Sequence, residues 1–366
     1  MGESPASSAG AATASDRPRD LILSCNLSPG DVVMMTAAVR DLHIAYPGVF
    51  RTDVRTPAGH LWENNPYITR LSEDDPNVRV IPMRYDLIHQ SNEGAYHFIH
   101  GYVQHLEREL GLRIPVTRFR GDIHVSDLEK SWMSQVEEDP IAWRGDFWIL
   151  MAGGKFDFTA KWWDPARYQE VVDHFAGRIQ FVQCGEAGHW HPRLRGVIDL
   201  VGKTDTRQFV RLMYHAAGVV CPVTFAMHLA AAVEVKPGRP KNRACVVVAG
   251  GREPSQWEKY GHHRFLETNG ALLCCDNGGC WRSRCQPVGD GDEKDRPENL
   301  CLHPVPVSPA LAIPRCMEMI SVQDVIRAIE MYYEGGALRY LDAPGDGRPA
   351  APTPREAERR PGRKAS

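Results

Sequence analysis

The feature that most constrains the fold is an alternation of short apolar segments with amphipathic helical segments, which occurs twice along the chain. In the first half, an apolar segment over 21–25 leads through a turn at Gly30 into a helical pattern over 31–46. Apolar residues in that pattern recur every three or four positions, and Pro47-Gly48 ends it. A strand, a glycine turn and a helix in this order predict the opening of a Rossmann-like unit.

The second half repeats the order, beginning with an apolar segment over 147–151 directly before Gly153-Gly154. Further strands are predicted over 53–56, 78–81, 179–183, 219–221 and 244–249, and further helices over 96–110, 167–175, 208–217, 227–233 and 321–333. Strands that alternate with helices form doubly wound parallel sheets. The predicted fold class is therefore α/β, with two Rossmann-like domains facing a cleft at the carboxyl ends of their strands.

The length of 366 residues suits two domains. An acidic, proline-containing linker over 137–145 separates a predicted N-terminal domain over 19–145 from a C-terminal domain over 146–335. Small polar residues dominate 1–18, while proline, glycine and charged residues dominate 342–366. Both ends are predicted to be disordered because such compositions cannot bury enough apolar surface.

Composition also excludes several classes of protein. The net charge of −3 gives no support for a nucleic-acid partner, which a basic face would indicate. No segment approaches the roughly 18 apolar residues that a membrane span requires. The N-terminus lacks the apolar region of a secretory signal, so we expect a cytoplasmic protein.

Cysteines are concentrated in an irregular insert over 272–317, which holds six of the ten in the chain. The predicted ligands of a tetrahedral zinc or iron ion are Cys275, Cys280, Cys301 and Cys316. Four thiolates would leave no open position, so the role would be structural and no catalytic metal is expected. Cys274 is an alternative to Cys275, Cys285 is a possible spare, and buried free thiols are the competing interpretation. The insert is followed by a closing helix over 321–334, opened by a capping box.

Three segments together resemble the heptosyltransferase family, glycosyltransferase family 9. They are SPGDVVMMTAAVRDLHIAYPG, GKTDTRQFVRLMYHAAGVVCPVTFAMHLAAAV and VVVAGGREPSQWEKYG. The resemblance covers about residues 20–270 and the final helix, and its specificity lies in the order and spacing of the segments. It implies the GT-B architecture, an inverting reaction and a nucleotide-sugar donor of the ADP-heptose type.

Two departures from the family pattern are evident. The cysteine-rich insert looks more like the subgroup that heptosylates autotransporter proteins, in which a four-cysteine site holds an iron. In the donor loop, many members have Asp-Thr-Gly where this chain has Val223-Thr224-Phe225. A carboxylate and a glycine are missing there, which bears on the identity of the donor sugar.

Asp31 is the predicted general base, since transfer to a hydroxyl needs a group that accepts the proton. The resemblance places the family's base at this Gly-Asp position, and Gly30 would allow a close turn beside it. The competing interpretation is a helix cap, because aspartate is favoured at helix starts.

Lys161 is the predicted cation for the leaving diphosphate, since a fixed positive charge stabilises the negative charge that develops there. The resemblance matches it to a lysine that precedes a Trp-Pro-like element. Lys155, directly after Gly153-Gly154, competes for this role, and each could instead be a solvated surface lysine.

The remaining predicted donor contacts lie on loops and at a helix start. A helix N-terminus presents free N–H groups to a diphosphate, which singles out Thr224 and the backbone leading into Met227. His228 either assists there or is an ordinary core histidine. Glu186 would accept from ribose hydroxyls, and Thr204 belongs to a turn similar to a family loop near the base.

The sequence therefore predicts a glycosyltransferase that moves a heptose from a nucleotide sugar to a protein or saccharide hydroxyl, and a homo-oligomer is one expected assembly. The alternative is a non-catalytic nucleotide-sugar-binding or assembly protein that uses a structural metal. Release of free nucleotide diphosphate from a donor would separate the two.

Overall fold

The structure, a computed structural model, describes residues 17–138, Trp143 and 145–341. Most of the predicted leader (1–16), the whole predicted tail (342–366) and residues 139–142 and 144 of the predicted linker lie outside the described residues.

Strands and helices alternate along most of the chain. The strands are β1 (Arg19–Ser24), β2 (Phe50–Arg55), β3 (Val78–Pro82), β4 (Phe147–Leu150), β5 (Gln180–Gln183), β6 (Ile198–Asp199), β7 (Gly218–Pro222), β8 (Ala244–Gly250), β9 (Arg264–Glu267), β10 (Pro304–Ser308) and β11 (Leu311–Pro314). The α-helices are α1 (Pro29–Ala45), α2 (Phe98–Leu110), α3 (Asp127–Ser131), α4 (Pro165–His174), α5 (Thr206–His215), α6 (Phe225–Ala232), α7 (Ser255–Glu258), α8 (Arg315–Glu318) and α9 (Val322–Glu334).

The C-terminal half is built on a six-stranded parallel sheet with the order β6-β5-β4-β7-β8-β9. Renumbered from its own first strand, this order is 3-2-1-4-5-6, the order of dinucleotide-binding Rossmann sheets. Strands β7 and β8 are buried along their full length because helices cover both faces. The direction of strand addition reverses between β4 and β7, so a crevice opens at the carboxyl ends of these two strands.

The N-terminal half has a smaller sheet than predicted. Its three strands are all parallel, in the order β2-β1-β3. Only β1 is buried along most of its length, and β3 is largely exposed. The described residues thus give this half a single βαβ core rather than a second full doubly wound sheet.

Two helices from different halves meet at their starts. A Cβ on Gly30, near the start of α1, would lie 3.3 Å from the His228 ring and 3.6 Å from the Phe225 Cα atom of α6. Gly30 is helical, so its role here is close approach between helices and not the tight turn expected from the sequence. A glycine at this position lets the two helix N-termini share one cleft.

A buried ion pair also joins the halves. Arg207 of α5 donates from Nε and Nη2 to the carboxylate of Glu129 in α3, each at 2.6 Å. Although burial opposes ionisation, the hydrogen bonds from Arg207 and Ser126 hold the pKa of Glu129 at about 2. The carboxylate therefore stays charged and paired throughout the physiological range.

Helix ends follow their predicted signals closely. The predicted capping box at the start of α9 is present, with Ser321 and Asp324 satisfying each other's backbone N–H groups. Helix α2 ends at Gly111, which adopts the left-handed conformation at φ 66°. It begins at Phe98, two residues later than predicted, because the His97 ring caps the helix and leaves Tyr96 outside.

Several short elements were not predicted. Strand β6 has two residues, too few to show periodicity, and β9 is an edge strand with mixed burial. The hairpin β10-β11 lies inside the cysteine-rich insert and contains several prolines, which remove ladder donors and are confined to edges. Among the described residues, no helix is long and apolar enough to cross a membrane.

Candidate active site

A cleft of about 870 Å³ opens between the two halves, at the point where strand addition reverses. The loops after β1, β4, β5 and β7 all reach it, as expected for a doubly wound sheet. It brings together most of the predicted site residues: Gly30, Asp31, Lys155, Lys161, Glu186, Thr204, Thr224 and His228. Met227 is fully buried instead, and its N–H donates to the Thr224 carbonyl, so it does not line the cleft.

Asp31 lies in the first turn of α1, on the wall formed by the N-terminal half. The N-cap of this helix is Ser28, so Asp31 does not hold the N-cap position considered in the sequence analysis. Burial raises the pKa of its carboxyl above 3.8, although a hydrogen bond from Tyr85 and the nearby His228 oppose the rise. A carboxylate with a raised pKa is a better proton acceptor than an exposed one.

Tyr85 supports this carboxylate and was not predicted. Its hydroxyl lies near Asp31 and lowers the pKa of that carboxyl, and its ring packs edge-on against Phe98 at 4.5 Å and beside Trp257 at 5.9 Å. Gly101 leaves the space for this ring, since a Cβ there would lie 2.7 Å from the Tyr85 Cβ atom. The aromatic residues around Tyr85 fix the direction in which its hydroxyl points.

Lys161 lies on the opposite wall and is paired. Its Nζ atom is 2.8 Å from Oε1 of Glu253, a carboxylate that is 7% exposed. The same carboxylate is bound by the guanidinium of Arg252. Lys155 also lines the cleft, and it has no ion-pair partner among residues 17–138, 143 and 145–341.

The start of α6 forms the floor of the cleft. Thr224 is its N-cap residue, but the side chain makes no capping bond, so the hydroxyl faces the cleft without that partner. His228 has one ring nitrogen 2.8 Å from the Tyr260 hydroxyl and the other 3.1 Å from Glu258. It is thus a buried histidine with partners on both sides that still lines the cleft.

Phe225 occupies the position where many family members have glycine. Its ring lies 5.8 Å from the Phe209 ring, and its backbone lies against Gly30. The aromatic side chain therefore fills the contact between helices α5 and α6. Packing against Phe209 therefore explains part of why a large side chain stands at this position.

The far end of the cleft is aromatic. Trp162 stacks on Trp190 with the ring centres 4.3 Å apart. Gly153 adopts φ +83°, and a Cβ there would lie 2.1 Å from the Trp190 carbonyl oxygen, so both the backbone angle and the space require glycine. Nε1 of Trp162 and Nε2 of His191 are buried without hydrogen-bond partners in the described part of the chain. Unpaired polar atoms beside an aromatic stack suit a ligand that is planar and carries hydrogen-bonding edges.

Residues missed by sequence reasoning share one property, which is that their partners are distant along the chain. Tyr85, Arg252, Glu253 and Trp281 all line the cleft. The segment GGREP that carries two of them follows a predicted strand directly. Because carboxyl ends of strands carry the ligand site in such sheets, this position was a usable signal for Glu253.

The predicted cysteine ligands also converge. One cavity of about 10 Å³ is lined by Cys274, Cys275, Cys280, Cys301 and Cys316. The Cys285 thiol lies in hydrogen-bond contact with Cys301 and lowers the pKa of Cys301 to about 7. In the described part of the chain, no group of three or more His, Cys, Asp or Glu side chains is arranged to hold a metal ion.

Part of the chain is similar to a known protein family. Residues 95–237 match the family model of glycosyltransferase family 9, the heptosyltransferases. The match covers 143 of the 366 residues, less than half of the chain. This match supports glycosyltransferase activity and confirms the enzyme class predicted from the sequence. No curated protein matches the chain.

Three solved structures share the fold. A family 9 glycosyl transferase from Veillonella parvula DSM 2008 aligns with a TM-score of 0.57 at 14% identity, over 88% of this chain and 100% of the other. ADP-heptose LPS heptosyltransferase II of E. coli gives 0.51 at 17%, over 87% and 99%. The dodecameric iron-containing heptosyltransferase TibC of enterotoxigenic E. coli, in complex with ADP-D-beta-D-heptose, gives 0.55 at 15%, over 87% and 77%. At these identities the likeness establishes the α/β, GT-B-like fold.

The raised pKa of Asp31 leads to a prediction about stability. Below pH 3.8 the carboxyl is protonated in both states, whereas above the folded-state pKa its charge is buried at a cost. Asp31→Asn should therefore melt at a higher temperature than the wild type near pH 7, and this advantage should shrink towards pH 4. Thermal melts monitored by circular dichroism across this range test it.

Asp53→Asn is the matched control. Asp53 is buried, but hydrogen bonds from Leu71, Val54 and Arg55 outweigh burial and lower the pKa of its carboxyl. Its replacement should lower the melting temperature near pH 7. If Asp31→Asn also lowered the melting temperature near pH 7, the Asp31 carboxylate would be a structural group.

Proposed function

We propose that the chain is an inverting glycosyltransferase that moves a heptose from an ADP-heptose-type donor to a hydroxyl of a protein or saccharide. The observation that carries the proposal is the meeting of two helix N-termini in one cleft with Lys161: α1 carries the half-buried Asp31 carboxylate, and α6 presents the N–H groups of its first turn. A base, a cation and an anion-binding helix start are the three groups that such a transfer needs.

In the proposed reaction, Asp31 accepts the proton of the acceptor hydroxyl as its oxygen attacks the anomeric carbon. The bond from that carbon to the β-phosphate oxygen breaks, and its electron pair leaves with the diphosphate. Lys161 and the N–H groups at the start of α6 stabilise the charge that develops there. Attack from the face opposite the leaving group inverts the anomeric centre.

The proposed donor position follows from the lining of the cleft. Its volume of about 870 Å³ falls in the range of ligand pockets and can hold a nucleotide sugar. The nucleoside is proposed to lie towards Trp162 and His191, with Glu186 and Thr204 at its edge. Glu186 is mostly exposed and near His189, so its carboxylate is available to ribose hydroxyls.

The division of labour between halves is proposed accordingly. The N-terminal half over 19–145 would supply the base and hold the acceptor. The C-terminal half over 146–335 would hold the donor, since its strand order is that of nucleotide-binding sheets.

The cysteine-rich insert is proposed to hold a structural iron or zinc. The residue types suit such an ion, because the cysteines that line this small cavity can supply the four thiolates that zinc or iron takes in a tetrahedral site. In the described part of the chain their side chains are not arranged as a ligand set, so the proposal rests on the residue types and their convergence and not on ligand geometry. Cys275, Cys280, Cys301 and Cys316 would bind the ion, which would order the surrounding segment. Cys274 lines the same cavity and remains an alternative to Cys275. TibC is described as iron-containing and dodecameric, which supports a metal and an oligomer as parts of the proposal. The autotransporter subgroup is proposed from the resemblance of the cysteine-rich insert.

The first test is turnover of ADP-heptose by Asp31→Asn. The amide preserves the size of the side chain but cannot take a proton, so ADP release in the presence of acceptor should fall by about 100-fold or more. The acid limb of the wild-type pH profile should lie above the ordinary carboxyl range near pH 4. Wild-type protein that binds ADP-heptose and releases no ADP with any acceptor would favour the non-catalytic alternative.

The two lysines give a second prediction. Lys161→Ala should weaken ADP binding and slow transfer together, because its charge meets the diphosphate before and during the reaction. Lys155→Ala should have the milder effect. Titration calorimetry with ADP and steady-state rates rank the two, and the opposite ranking would transfer the diphosphate role to Lys155.

The metal can be tested directly. Anaerobically purified protein should contain about one equivalent of iron or zinc per chain by elemental analysis. Cys301→Ser should lose the metal and make the 272–317 segment sensitive to protease, while the two parallel sheets remain folded. A metal content near zero with all thiols titrating as free would contradict this prediction.

A further inference from the structure

We propose that Glu253 is a positioning residue for Lys161, and that the cysteine-rich insert holds Glu253 in place through Arg252. The inference rests on the diphosphate role proposed above for Lys161. It assigns a function to a carboxylate in the cleft that the transfer reaction does not itself require.

Glu253 lies between two cations. Its Oε1 atom is 2.8 Å from Nζ of Lys161, and the Arg252 guanidinium donates to the same oxygen. The other oxygen, Oε2, is buried without a partner among the described residues. A carboxylate this buried is stable as an ion only because both cations stay beside it, so the three side chains are mutually fixed.

Arg252 is anchored by the cysteine-rich insert. Its Nε donates to the Arg282 carbonyl at 2.5 Å and its Nη2 to the Trp281 carbonyl at 3.3 Å. In return, the Trp281 N–H donates to the Arg252 carbonyl at 2.9 Å. The guanidinium also lies over the ring of Phe158 at 5.0 Å. All three kinds of contact set the position of the guanidinium that holds Glu253.

The insert is itself held by contacts with both halves of the chain. Sγ of Cys275 would lie 3.0 Å from a Cβ on Gly251, so the thiol cluster packs directly under the turn that carries Arg252. On the other side, the Trp281 indole donates to Asn92 of the N-terminal half at 2.7 Å. Trp281 adopts φ 56°, a left-handed conformation that a non-glycine residue keeps only where its surroundings impose it.

The chemistry of lysine explains why such a device is useful. Its ammonium group sits on a flexible four-carbon chain and has three donors. One donor can remain with Glu253 while the other two face the diphosphate. The charges of Lys161, Arg252 and Glu253 sum to +1, so the site still attracts the anion while the ammonium is held in one position.

A positioning residue should affect turnover more than donor affinity. Glu253→Gln removes the charge that holds Lys161 but leaves the lysine present. With ADP-heptose as donor, kcat should fall about tenfold or more, as expected for a misplaced group, while KM for the donor should not rise. ADP binding by calorimetry should be unchanged or tighter, because a competing carboxylate has been neutralised.

A double-mutant cycle with Lys161→Ala gives the decisive readout. If Glu253 acts through Lys161, adding Glu253→Gln to Lys161→Ala should change kcat by less than twofold. Glu234→Gln is the matched control, since Glu234 pairs with Lys130 at the same 2.8 Å outside the cleft. This control should retain wild-type rates.

Arg252→Lys is the second variant, and it keeps the charge but loses the forked bonds to the insert. It should reproduce the fall in kcat and should also be silent in the Lys161→Ala background. If Glu253→Gln or Arg252→Lys lowered kcat in the Lys161→Ala background by the same factor as in the wild type, the positioning role would be overturned. If Glu253→Gln does not fold, the Arg252→Lys cycle decides alone.

The design separates this inference from the function on which it rests. A Lys161→Ala protein with wild-type rates would refute the diphosphate role of Lys161, and the positioning role with it. An impaired Lys161→Ala protein beside a fully active Glu253→Gln protein would refute only the positioning role.

Discussion

The close approach of α1 and α6 at Gly30 is the contact on which the rest of the site depends. A parallel sheet directs its helix N-termini towards the carboxyl edge of its strands, so each half presents positive helix ends to the cleft. A Cβ at position 30 would lie 3.3 Å from the His228 ring and 3.6 Å from the Phe225 Cα atom, so the glycine leaves the room that the two helix starts need to approach each other. The half-buried Asp31 carboxylate on one helix and the N-terminus of the other thereby line the same cleft.

Burial then sets the electrostatics of that space. Asp31 is raised in pKa by loss of water, whereas Glu258, buried nearby, is lowered in pKa because its His228 contact outweighs the same loss. The two carboxylates thus have pKa values shifted in opposite directions, because the His228 contact at 3.1 Å outweighs burial at Glu258, whereas burial is the larger effect at Asp31. Such a separation is the usual way in which a fold assigns a base and a fixed counter-charge to neighbouring acids.

The sequence predicted what local patterns determine. The strands and helices of the Rossmann-like half, the capping box at Ser321 and the helix stop at Gly111 each depend on residues within a few positions of one another. The family resemblance also singled out Asp31 and Lys161, and both residues line the cleft. The two-residue strand β6 and the proline-containing hairpin β10-β11 carried no such local signal.

The sequence could not show which charged side chains pair with each other. Lys161 pairs with Glu253, which lies 92 positions further along the chain. Arg252 is held by a backbone carbonyl of the insert, which is also distant in the sequence. Pairing across such distances depends on the strand order β4-β7-β8, which no local pattern encodes. Charged side chains that come from separate strand ends therefore interact only in the folded state. The insert, the turn at Gly250-Gly251 and the cleft are joined through such contacts, which is why a segment without regular periodicity can bear on the chemistry of the site.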